Sequence, residues 1–148
     1  EAGVREGYKT ILENVKAYAP DAEITGILVQ EMAPWGTEVI VGSTKDPTFG
    51  ATLMFGLGGI FVEILKDVSF RLAPIERSDA EEMVKEIKAY KILEGVRGKS
   101  PSDTEAIVEI LLKTSEMLAE CPEISELDMN PVLVYEEGAK IVDARIIL

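Results

Sequence analysis

The chain opens on "GVREGYKTILENVKAYAP", where Val4, Tyr8, Ile11, Leu12 and Val15 recur at helical spacing and Pro20 closes the run. Apolar residues three and four apart share one helix face, so this stretch predicts an amphipathic helix. From Ile24 to Ala73 the pattern changes to short β-rich runs, "EITGILVQEMA", "TEVIVGS", "ATLMFG", "GIFVEIL" and "VSFRLAP", separated by Gly, Pro and Asp. These predict mostly antiparallel strands. Two further helices are expected, each opened by a Ser with a Glu three residues on, Ser78 with Glu81 and Ser102 with Glu105, the pattern in which hydroxyl and carboxylate satisfy each other's backbone N–H. Gly95 and Cys121-Pro122 end them. In the second, Ile107, Ile110, Leu111, Thr114 and Leu118 form one stripe suited to packing on a sheet. The closing segment, "ISELDMNPVLVYEEGAKIVDARIIL", predicts a β-hairpin turning at Glu137-Gly138. No repeat, low-complexity tract or linker interrupts the chain, so the expectation is an α+β fold over residues 1–148 as a single domain.

The hairpin contains residues that a ladder disfavours: Asp128, Asn130 and Pro131 precede a good apolar strand. With a two-residue loop, Tyr135 faces Lys140 and Asn130 faces Arg145. Alternation then puts Asp128, Asn130, Asp143 and Arg145 on one face, and Leu127, Met129, Leu133, Val142, Ala144 and Ile146 on the other. Two carboxylates, a carboxamide and a guanidinium gathered in this way suit a hard cation such as Mg²⁺, which takes one or two carboxylates and completes its shell from water and phosphate oxygens. The competing reading is a solvated strand face with a cross-strand ion pair.

Composition narrows the chemistry. Lys+Arg 15 against Asp+Glu 27 gives a net charge of −12, and no basic patch gathers the cations, which argues against a nucleic-acid partner. No apolar run approaches the roughly 18 residues of a membrane span, and the expected location is cytoplasmic. With no histidine and one cysteine, Cys121, disulfide scaffolds, thiolate–imidazole pairs and nearly all zinc sites are removed, so any metal is held by oxygen. Asn14, Asn130 and Gln30 are the only side-chain amides, a scarcity that fits a heat-adapted source and makes Asn130 conspicuous.

Two other stretches stand out. In "LVQEMAPWGTEVIVG", Gln30, Glu31 and Met32 end an apolar strand and Glu38 lies on the next, an arrangement open to a purine and ribose but equally to an ordinary hairpin with a Pro-Trp-Gly turn. "FGLGG" at Phe55 to Gly59 lacks the third glycine of a dinucleotide loop and any following Gly-Lys-Ser/Thr, so a tight turn accounts for it, and a loop closing over phosphates is the alternative. Lys85, Lys88, Lys91, Arg97 and Lys99 form a moderately basic stretch, most simply a solvated face.

Taken together, "LVQEMAPWGTEVIVGSTKDPTFGATLMFGLGGIFVEILKDVSFRLAPI", "DAEEMVKEIKAYKILEGVRG" and "ELDMNPVLV…GAKIVDARI" resemble the ATP-grasp β subunit of ADP-forming acetyl-CoA synthetases, and more distantly the succinyl-CoA synthetase β subunit. The resemblance covers essentially the whole chain. It implies an ATP-grasp large lobe of mostly antiparallel sheet with packed helices, the C-terminal part of the ATP-grasp unit without its N-terminal part. It also implies ATP/ADP and Mg²⁺ as cofactors, with adenine held along a hinge strand of Gln30, Glu31, Met32 and Ala33, and ribose near Glu38. Asn130 and Asp143 are then the Mg²⁺ ligands, Asp128 a further carboxylate and Arg145 a phosphate contact in catalysis. The family reaction interconverts acyl-CoA, ADP and phosphate with free acid, CoA and ATP through an acyl phosphate and a phosphohistidine. Lacking histidine and a phosphate-clamping lysine segment, this chain is expected to be a fragment that does not turn over alone, the CoA-binding and phosphohistidine machinery, which meets the small carboxylic acid, belonging to a CoA-binding α subunit or to segments outside this sequence. Alternative readings are a non-catalytic ATP-grasp interaction or regulatory module, and a succinyl-type CoA ligase β subunit.

Overall fold

A computed structural model describes residues 2–59, 64–96, 98 and 100–148. The chain forms two compact units, Glu1–Met32 and Ala33–Leu148. In the first, helix α1 spans Ala2–Tyr18, as its apolar spacing predicts. The run from Glu23 to Met32, read from sequence as a strand, enters no ladder. A strand needs a neighbour for its N–H and C=O groups, and the other element of this unit is a single helix. Ile24 and Ile27 are half-buried, and the other large apolar residues stay in solvent, Leu28 at 82% and Met32 at 91% exposure.

The second unit is built on a six-stranded sheet among the described residues: β1 (Thr37–Asp46), β2 (Gly50–Leu57), β3 (Val68–Leu72), β4 (Glu126–Val134), β5 (Ala139–Ile141) and β6 (Ala144–Ile147). The order is β3-β2-β1-β4-β5, with β6 also on β4, and every pairing is antiparallel. Alternation sorts Val39 and Val41, Leu53, Phe55 and Leu57 onto one face, where Met83 and Val84 of α2 (Arg77–Glu86) and Ile107 and Leu111 of α3 (Thr104–Glu120) complete a core. The helices thus close one side of the sheet. The opposite side contributes Gly42, Thr44, Met54, Phe70 and Asp128 to a depression of about 200 Å³. Within "GIFVEIL", residues 60–63 lie outside the described residues, as do Arg97 and Lys99 of the basic stretch.

Three local expectations shift by a few residues, each for an identifiable reason. Helix α2 starts at Arg77, where the Asp79 carboxylate accepts from the Glu76 N–H at 2.9 Å, in place of the Ser78–Glu81 pair. It ends at Glu86 and not near Gly95, because the buried Asp67 carboxylate accepts the Lys88 and Ala89 N–H groups at 2.8 Å each, and Ile87 is extended; a 3₁₀ turn, Tyr90–Ile92, follows. Helix α3 is capped by Asp103 and not by Ser102, whose hydroxyl instead donates to Thr37 Oγ1 at 2.9 Å.

Asp103 joins two parts of the fold. One carboxylate oxygen accepts from the Ala106 N–H at 3.0 Å, the other from the Gly138 N–H in the β4–β5 turn at 2.7 Å. The Gly138 N–H, and next the Ala106 N–H, hold its carboxyl below the usual carboxylate range. Asp103→Ala is expected to cost about 1–2 kcal/mol at pH 7, the magnitude of a lost helix cap. A folded-state pKa below the unfolded value of about 3.9 makes this contribution complete at neutral pH and lost as pH falls through the folded value. Urea denaturation of both proteins between pH 7 and pH 2.5 should therefore show curves that converge only below about pH 4.

Candidate functional site

The hairpin that sequence reading singles out does form, with a register two residues from the one expected. Leu133, not Tyr135, faces Lys140, and Asp128, not Asn130, faces Arg145. The connection is a four-residue turn in which the Tyr135 N–H donates to the Gly138 carbonyl at 3.0 Å, and Gly138 has φ +78°. A two-residue slip preserves faces along a regular ladder, so Asp128 and Arg145, which pair directly, share one side. Between the pairings with β5 and β6, Val142 and Asp143 lie outside either strand, the Asn130 N–H donating to the Asp143 carbonyl at 3.1 Å and the Val142 N–H to the Pro131 carbonyl at 3.1 Å.

The awkward Asn130-Pro131 dipeptide has a structural role here. Its peptide is cis, and across from it β1 slips, Val41 pairing with Met129 and Val39 with Val132. Two residues of β4 therefore oppose Ile40 alone, a bulge that absorbs one residue and reverses the alternation beyond it. Leu127 and Met129 enter the core before the bulge, and Val132 and Val134 after it, which corrects the expectation that Leu133 joins Leu127 and Met129. Val142, Ala144 and Ile146 are exposed, another departure, because the helices do not reach that edge of the sheet. Asn130 and Asp143 are exposed and Asp128 is half-buried. Residues held side by side in this way carry Cβ atoms about 5 Å apart, close enough for an amide oxygen and a carboxylate to reach one cation whose metal–oxygen distance is about 2.1 Å. Among the described residues no three His, Cys, Asp or Glu side chains gather as a metal-holding group. Arg145 lies beside Asp128 and forms an ion pair with Glu126 at 3.7 Å, a partner that sequence reading did not foresee.

At one end of the sheet, where β1 and β4 meet their loops, a cleft of about 1680 Å³ is lined by Trp35, Glu38, Gly58, Gly59, Ser102 and Tyr135 among others. Glu38 is exposed, and Trp35, the single tryptophan, is 94% exposed. The adenine residues expected from sequence divide between the units: Gln30, Glu31 and Met32 close the first as exposed, ladder-free chain, and half-buried Ala33 belongs with Glu38 to the second. The cleft-lining glycines were legible only as a turn signal.

The second unit is thus an antiparallel sheet with helices packed on one face. The ATP-grasp domain model matches residues 1–148, and the chain belongs to that family. It is 56% identical over 144 residues to the β subunit of acetate–CoA ligase [ADP-forming] I from Pyrococcus furiosus, covering 97% of this chain and 62% of that protein. It is 47% identical to the 4-hydroxybutyrate–CoA ligase [ADP-forming] of Nitrosopumilus maritimus, covering 99% of this chain and 21% of that protein. Among solved structures, the dinucleotide-forming acetyl-coenzyme A synthetase 1 of Ca. Korarchaeum cryptofilum, in complex with coenzyme A and Mg-AMPPCP, superposes with a TM-score of 0.85 at 52% identity, over 98% of this chain and 62% of that one. The same enzyme with coenzyme A, acetyl-coenzyme A and a phosphorylated phosphohistidine segment gives 0.90 at 57%, over 97% and 64%. The chain thus spans a little over three-fifths of the β subunit it matches. No helix among the described residues is long and apolar enough to cross a membrane.

Proposed function

We propose that this chain is the nucleotide- and Mg²⁺-binding portion of an ADP-forming acyl-CoA ligase, which interconverts acyl-CoA, ADP and phosphate with free acid, CoA and ATP. The observation that supports this reading is the backbone hydrogen bond from the Asn130 N–H to the Asp143 carbonyl, which sets the two residues side by side in the gap between β5 and β6. When bound there, Mg²⁺ supplies charge neutralisation at the phosphate oxygens while the phosphoryl group moves. Asn130 contributes a neutral amide oxygen and Asp143 one negative charge, leaving the remaining positions to water and phosphate. Arg145, restrained by Glu126, is suited to orient phosphate oxygens. Glu38 at the cleft is a carboxylate acceptor for ribose hydroxyls, and the segment Gln30–Ala33 supplies the adenine contacts.

These 148 residues contain no histidine, so the phosphohistidine of this reaction class is supplied by other residues, and the reading assigns it to a CoA-binding α subunit that also receives the small carboxylic acid. The high identity to a protein described as a β subunit supports that hetero-oligomer. The test is a coupled assay on the complete protein with its CoA-binding partner. Acetyl-CoA-dependent formation of ATP from ADP and phosphate is expected, and it should vanish when Mg²⁺ is chelated. Nucleotide binding without turnover in that complete assembly would instead indicate a regulatory ATP-grasp module.

A further inference from the structure

We infer that Gly58 is a positioning residue for Glu38, and that the loop leaving β2 holds this carboxylate at the cleft where a ribose 2′,3′-diol would meet it. The inference rests on the nucleotide-binding reading above. Its basis is the fit between the two residues. Val39 pairs with Leu57, and one step further the Gly58 N–H donates to the Glu38 carbonyl at 2.8 Å, so the loop stays tied to β1. A Cβ on Gly58 would lie 2.9 Å from the Glu38 Cβ and 3.3 Å from its carbonyl carbon and oxygen.

Those atoms are the root of the side chain and the backbone, not a flexible tip that can swing aside. A side chain at position 58 therefore forces either the loop away from β1 or Glu38 out of its orientation. Glycine is not required at 58 by backbone conformation: the left-handed residue of this turn is the next one, Gly59, with φ +60°. A Cβ on Gly59 would meet the Glu38 Oε2 at an ordinary 3.9 Å. The two glycines thus have different reasons: Gly59 makes the turn, and Gly58 leaves the volume in which Glu38 stands. A carboxylate with two oxygens is matched to two vicinal hydroxyls, and the charge strengthens both hydrogen bonds.

The experiment compares Mg·ADP with Mg·2′,3′-dideoxy-ADP in the full-length protein, following Trp35 fluorescence from the same cleft. The native protein should prefer ADP by about tenfold or more, the scale of hydrogen bonds to a charged group. Glu38→Ala should abolish that preference. Gly58→Ala should bring it within about twofold, and the double variant should lose nothing more, as expected for residues acting as one unit. Gly59→Ala strains the same loop and should retain the preference. Retention of the native ratio by Gly58→Ala, while Glu38→Ala loses it, would overturn the inference and leave nucleotide binding intact. Equal affinities for the two nucleotides in the native protein would also overturn it, and no ADP binding at all would overturn the nucleotide reading together with it. Should Gly58→Ala melt too early to titrate, Gly58→Ala combined with Glu38→Gly decides: restored folding identifies the Glu38 Cβ as the obstructed atom, and continued unfolding refutes that.

Discussion

Asp143→Ala is expected to weaken Mg·ADP binding about 100-fold, equivalent to about 3 kcal/mol, and to leave the much weaker binding of metal-free ADP unchanged. The reasoning is that a divalent cation held by only two protein oxygens loses half of its protein ligands and the single charge among them. Asn130→Ala should act similarly but somewhat less, since a neutral oxygen is lost. Asp128→Ala should act least, because Asp128 faces Arg145 and not the Asn130–Asp143 pair. Isothermal titration at several Mg²⁺ concentrations separates these terms: the Asp143 variant should lose the metal dependence of ADP affinity. A variant that binds Mg·ADP as tightly as the parent would refute the metal assignment. Melting should change little, because both residues are exposed and the ladder bond between them is made by backbone atoms.

Phe55→Ala is expected to destabilise the fold by about 4 kcal/mol, within the range for a buried aromatic truncated to alanine. Phe55 has 0% exposure, stands between Val41 and Ser69 in the sheet, and is the largest of the fully buried side chains. The loss combines transfer of the ring with the cavity left where strands and helices meet. Against a typical total of about 5–15 kcal/mol this is a large share, and should lower the melting temperature by about 8–16 °C. Phe70, on the neighbouring strand but facing the open side, is 52% exposed. Phe70→Ala should cost less than about 1 kcal/mol, and a comparable loss at both positions would contradict the assignment of faces.

Several elements were legible because their physics is local or strictly periodic. Of the stripe Ile107, Ile110, Leu111, Thr114 and Leu118, all but half-buried Ile110 are buried in α3, and Cys121 is where that helix stops. The runs "TEVIVGS" and "ATLMFG" were legible as strands, and they form β1 and β2. The errors lie where a residue answers to a distant partner. Ser102 looked like a cap until Thr37 claimed its hydroxyl, and α2 was read too long because Asp67, about twenty residues earlier, takes the N–H groups beyond its end. The run ending in Gln30–Met32 has the composition of a strand, yet composition cannot provide the adjacent backbone that makes one.

By itself, then, the order of residues determined the α+β class and the inward stripe of α3, and put Asp128 and Arg145 on one side of a ribbon. Those properties follow from periods of 3.6 and 2, which survive a two-residue error in register. Only the tertiary structure decided that Asn130 stands beside Asp143, that a bulge at Pro131 restores inward alternation, and that Gly58 leaves room for Glu38. Each of those depends on a neighbour brought close by folding: the length of the β4–β5 turn, the slip of β1 past β4, and the hydrogen bond that draws the end of β2 onto β1.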